Sequence, residues 1–152
     1  MNKHNFSEEH LTEHFTLREM LHSTLVDDTP GLLNYMDRPE ETRQNLLQLC
    51  QQVLEPLRQA MGEPVVVSSG YRSAFLNHAV GGAPNSQHRL GEAADLLGPT
   101  QKRARTYYEY IRAHLPFDQL LLEHRAKTGM WWVHVSYTTR RPLRHDAREL
   151  KV

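Results

Sequence analysis

The sequence holds one cysteine, no long apolar run and no surplus of either charge. A lone Cys50 excludes an internal disulfide and any zinc site built on cysteine pairs. No run approaches the roughly 20 apolar residues of a spanning helix, so a soluble chain without membrane insertion is expected. Lysine plus arginine and aspartate plus glutamate stand at 18 each, and the balance gives no reason to expect nucleic acid or an anionic membrane as partner. A neutral or mixed substrate fits better. Internal repeats and low-complexity segments are missing too. The 152 residues suit one compact domain, 1–152, with a core over about 15–137 and polar termini.

What is present is histidine, ten in all, most of them in polar stretches where solvated or capping roles are the ordinary ones. Thr16 followed by Glu19 has the capping-box spacing and predicts a short helix. "VDDTPGLLNYMDRPE" reads as a surface loop reaching toward whatever the domain binds. Asp37 ahead of Pro39, Glu40 and Glu41 marks a helix start. Leu46, Leu49, Cys50, Val53, Leu57 and Ala60 then recur at helical spacing up to Met61, with Pro56 as a kink and Gly62 as the end. Cys50 falls on the apolar face, as a buried structural thiol would.

"PVVVSSGYRS" predicts a buried strand running into a polar turn, "SAFLNHAVGG" a short helix, and "PTQKRARTYYEYIRAHL" a second long helix. "FDQLLLEHR" and "WWVHVSY" predict strands paired as a hairpin across "AKTGM". The closing "RRPLRHDARELKV" is expected to be polar and mobile. Helices early and strands late favour an α+β fold with an antiparallel sheet flanked by helices.

The chemistry concentrates in "SQHRLGEAADL", residues 86 to 96. If Glu92 to Leu96 is extended, Ala93 and Asp95 share a face, and the small Ala93 leaves room beside the carboxylate. Gly91 permits the chain to turn so that His88 comes back toward Asp95. Such a pair suits a metal ion or a general base, and suits equally an Asp–His hydrogen bond that fixes a turn. In "WWVHVSY", alternation places Trp132, His134 and Ser136 on one face and Val133 and Val135 on the other. His134 is then either a third ligand or a satisfied core histidine. Two histidines and one carboxylate are a ligand set of catalytic zinc that keeps a position for water. Glu123, at the end of the partner strand, is a candidate general base or a solvated strand-end acid. His124 should point to the opposite face.

Taken together, "VSSGYRS", "LNHAVGGAPNSQH", "SQHRLGEAADL", "FDQLLLEH" and "WVHVSY" resemble the M15 zinc peptidases. That group contains D-alanyl-D-alanine carboxypeptidases and dipeptidases and shares its fold with the hedgehog signalling domain. The likeness, strongest to the short phage-related members, runs from about Phe15 to about Tyr137. It implies a hedgehog/DD-peptidase-like fold, one Zn2+ per chain on His88, Asp95 and His134, and a substrate in peptidoglycan stem peptides or other D-amino-acid-containing peptides. It also implies that Ser86 lies near the substrate and that Arg72 holds a substrate carboxylate or stabilises charge at the carbonyl. Tyr71, Trp131 and Trp132 are candidate cleft walls or core aromatics.

In one respect the sequence departs from the family. Several relatives carry an acid three residues before the last zinc histidine, where this chain has Trp131, so Glu123 is the replacement candidate for the base. The carboxypeptidase-like reading has a rival, a non-catalytic zinc module that binds cell-wall peptides or a protein partner. A monomer is expected. "MNKHNFSEEHLTEHF" lacks the apolar core of a secretory signal, so synthesis in the cytoplasm is expected, with an unknown route to the cell wall or periplasm.

Overall fold

The computed structural model describes residues 9–23 and 34–152, so most of the loop expected over 26–40 lies outside the described residues. Helix α1, Leu17–Leu21, begins at the expected capping box: Glu19 N–H donates to the Thr16 hydroxyl and the Glu19 carboxylate accepts from Thr16 N–H. Helix α2, Pro39–Leu49, starts with proline in its first turn, and Arg38 rather than Asp37 takes the capping position, without a side-chain cap. A π-helical segment, Cys50–Leu54, leads into α3, Glu55–Met61. Where the sequence suggested a kink at Pro56, the ladder changes type in the turn before it. Pro56 has no N–H for the Gln52 carbonyl, and the ladder widens so that Glu55 N–H reaches back to Cys50. Cys50 is fully buried, and burial pushes its thiol far above the ordinary range, which leaves it inert.

Strand β1, Val67–Ser69, is shorter than the sequence run suggested, because the chain turns at Gly70. A Cβ at Gly70 would lie 2.4 Å from the Met20 carbonyl oxygen, so only glycine lets α1 sit this close. Helix α4, Ala74–Ala79, is capped by Ser73. After a 3-10 turn, Gln87–Leu90, come β2, Ala93–Gly98, helix α5, Gln101–His114, and the hairpin of β3, Gln119–Arg125, with β4, Met130–Ser136. Residues 140–152, expected to be mobile, instead contain β5, Asp146–Lys151.

The five strands form one sheet in the order β1-β2-β4-β3-β5. Four are antiparallel neighbours as expected, but β5 runs parallel to β3, so the sheet is mixed. The fold is α+β, a five-stranded sheet flanked by helices. Alternation divides the central strands sharply. Ala94, Leu96, Leu120, Leu122, Val133 and Val135 are buried in the core with Tyr107, Tyr108 and Ile111 of α5. The opposite face carries Asp95, His134, Trp132 and Glu123. No helix among the described residues is long and apolar enough to cross a membrane.

Candidate metal centre

Asp95 and His134 are direct cross-strand partners, and Leu121 of β3 completes the row. The pairing puts His134 Nδ1 3.0 Å from Asp95 Oδ1. His88 arrives from outside the sheet. Its 3-10 turn is capped by Ser86, whose hydroxyl accepts from His88 N–H at 3.2 Å, and closed by Gly91 in the left-handed conformation (φ 77°). Gln87 and Glu92 tie the two ends together, and the buried Glu92 accepts further hydrogen bonds from Thr138 and both arms of Arg140. The turn is therefore anchored to the chain that follows β4, through a glutamate that sequence reasoning passed over as part of an extended stretch.

The state of His88 decides what the cluster can do. Its Nδ1 lies 2.7 Å from the Gly70 carbonyl, which can only accept, so Nδ1 is the donor there and Nε2 is the nitrogen turned toward Asp95. That Nε2 is buried and makes no hydrogen bond, although Asp95 Oδ1 stands 3.4 Å away. A buried polar atom with no partner costs about 1–3 kcal/mol, which a metal ion would recover. Ligand atoms on a tetrahedron with zinc-like bonds of ~2.0–2.1 Å sit about 3.3 Å apart. The 3.0 and 3.4 Å separations here fit that edge. The carbonyl behind His88 is the kind of outer partner that fixes a ligating imidazole.

Electrostatics favour an ionised Asp95. Burial opposes its charge, but His88 and His134 beside it hold the carboxyl well below the ordinary aspartate range. Arg72 contributes from 3.7 Å, held in place by Ser69 and Asn77. Burial pulls the Arg72 guanidinium below its ordinary value, while Asp95 opposes the shift.

The cluster opens into a cleft of about 780 Å³ whose lining includes Arg72, Ser86, Trp132 and Glu123. Glu123 accepts a 2.5 Å hydrogen bond from the Trp132 indole N–H. Its carboxyl is raised above the ordinary glutamate value, first by burial and then by the charge of Asp95. A carboxylate shifted in that direction is a stronger base near neutrality. Of the other sequence candidates, Tyr71 does not line the cleft: it is buried in the core and its hydroxyl donates to the Tyr35 carbonyl. Trp131 packs against the core and stacks on His124 at 4.1 Å, on the face opposite Trp132.

The family model for peptidase M15 matches residues 13–136, most of the chain. The chain belongs to the M15 peptidase family. The zinc D-Ala-D-Ala carboxypeptidase of Streptomyces albus G is 52% identical to this chain over 49 residues. That stretch covers 32% of this chain and 19% of the relative. The mixed sheet with its flanking helices is consistent with the M15 peptidase fold.

Proposed function

We propose that the chain is a zinc peptidase that hydrolyses a peptide bond in peptidoglycan stem peptides, in the manner of a D-Ala-D-Ala carboxypeptidase. The observation that carries the reading is the buried, unpartnered His88 Nε2 facing Asp95 and His134 in a chain of this family. His88, Asp95 and His134 would hold the ion. When bound, zinc supplies a Lewis acid that polarises the scissile carbonyl and acidifies water.

The remaining work falls to the chain's own groups. Glu123, kept partly desolvated and oriented by the Trp132 indole, takes a proton from the attacking water at its carboxylate and returns it to the leaving amine. Arg72 offers paired donors to substrate oxygens from a position fixed by Ser69 and Asn77. Ser86 sets the turn that carries His88 and lines the cleft beside the substrate. Trp132 forms a wall of the cleft. Substrate of this chemistry resides in the cell wall, which would be the site of action.

The test is mass spectrometry of stem pentapeptides after incubation with zinc-loaded protein, with Glu123→Gln in parallel. Loss of a terminal D-alanine that disappears in the variant supports the carboxypeptidase. A cut at an inner bond would move the assignment to an endopeptidase, and intact peptides beside one tightly bound zinc would leave a binding module.

A further inference from the structure

One charged group in the cleft has no task in the reaction just described. Alternation along β3 directs Gln119, Leu121, Glu123 and Arg125 to the cleft face. Arg125 pairs in register with Met130, four residues beyond the Leu121–His134 pair, hence about 13 Å along the strand. Three arginines line the cleft. Arg72 faces Asp95, and Arg144 is bound to Asp118. Arg125 pairs with no carboxylate among the described residues; its recorded partner is the face of the Trp132 ring, 5.5 Å from the guanidinium.

Contact with the face of an indole holds a guanidinium without consuming its N–H donors, which stay available to a ligand. The same indole is fixed at its other end by Glu123. The planar fork is thus pre-positioned, positively charged and unclaimed, and its geometric complement is a carboxylate.

We propose that Arg125 reads a carboxylate of the peptide substrate, remote from the scissile bond and on its N-terminal side. The inference rests on the stem-peptide reading. A carboxypeptidase leaves only one residue beyond the bond it cuts, so an acid this far from the metal centre belongs to the preceding residues. In a stem peptide the matching group is the free α-carboxylate of a γ-linked D-glutamate, three residues before the bond. A diaminopimelate carboxylate at the next position offers the same chemistry.

Binding is measured by calorimetric titration of zinc-loaded Glu123→Gln protein, which keeps the peptides intact. Three pentapeptides are compared: one with lysine at position three and a free glutamate carboxylate, the same peptide with that carboxylate amidated, and the amidated form with diaminopimelate replacing lysine. The free acid should bind about tenfold more tightly than its amide, a difference that Arg125→Met erases and Arg125→Lys restores in part. Recovery by the diaminopimelate peptide, again lost in Arg125→Met, would assign the carboxylate to position three. Equal affinity for all three peptides, a preference that survives Arg125→Met, or no binding at all would overturn the proposal. Failure of the peptidase reading shows separately, as absence of cleavage by the unsubstituted protein with the acid preference intact.

Discussion

Two clusters among the described residues bring histidine and carboxylates within ligand distance, and they have opposite characters. His88, Asp95 and His134 lie at the cleft, with one buried nitrogen left unpartnered. Glu13, His14 and Glu55 lie where the N-terminal segment meets α3. There Glu55 accepts from both the backbone and the ring of His14 at 2.7 Å, and Gln59 bridges Glu55 to Glu13. The second cluster is closed by its own hydrogen bonds and gains little from a metal. The cavity of about 490 Å³ beside it is walled by Phe15 and Val65 and carries Arg18, Glu19, His22 and Arg58 at its lining. Proximity of ligand types is therefore a poor guide. Dissatisfaction of a buried atom is the better one.

The contrast is broken most forcefully at the acids. Glu123→Gln should cost about 10²–10⁴ in kcat while zinc content stays unchanged, because in the proposed reaction the lost group moves protons and holds no metal. Steady-state assays and metal analysis of the same preparation check both halves. Glu55→Gln should leave kcat within about twofold.

A third carboxylate sharpens the comparison in stability. Asp118 is fully buried like the core around it, yet Arg141 and Arg144 saturate it, and burial is outweighed so that its carboxyl stays well below the ordinary range. Asp118→Ala should destabilise the fold by about 3 kcal/mol, since the arginines are partly solvated and the penalty falls at the low end for a broken buried pair. Hydrogen exchange should show β5 amides losing protection first.

The smallest effect is expected at Glu55. Burial opposes its ionisation, but hydrogen bonds from His14 and Gln59 lower its pKa from 4.5 to about 2. A depressed carboxyl contributes stability that is fully present above 4.5 and is lost as pH falls through about 2. Urea titrations of metal-free protein should therefore show Glu55→Gln less stable by about 1–2 kcal/mol at pH 6. The gap should close progressively between pH 4.5 and 2.

The residues of the cluster were legible in the sequence because strand alternation and the small Ala93 gave Asp95 and His134 a common face. His88 needed Gly91 to bring it back. Glu92 was missed because a glutamate before an apolar run carries no mark of burial; its partners Thr138 and Arg140 lie 46 and 48 residues on. Strand β5 was missed for a related reason. "DARELK" has no apolar alternation, and it is held by pairing with β3 and by the Asp118 clamp upstream, both of them long-range. Tyr71 was legible as a cleft or a core aromatic, and the choice fell to the core through the Tyr35 carbonyl and α1 packing over Gly70, neither of them marked in the local sequence. Arg125 gave no signal at all until Trp132 was seen beneath it.

The claim at the centre of this account is that the unpartnered cluster, and not the satisfied one, holds the metal. Zinc stoichiometry after dialysis against limiting chelator tests it directly on three proteins: the unsubstituted chain, His88→Ala and Glu55→Gln. The account predicts one zinc per chain in the first and third and none in the second. Zinc retained by His88→Ala, or lost by Glu55→Gln while the fold survives, would contradict it.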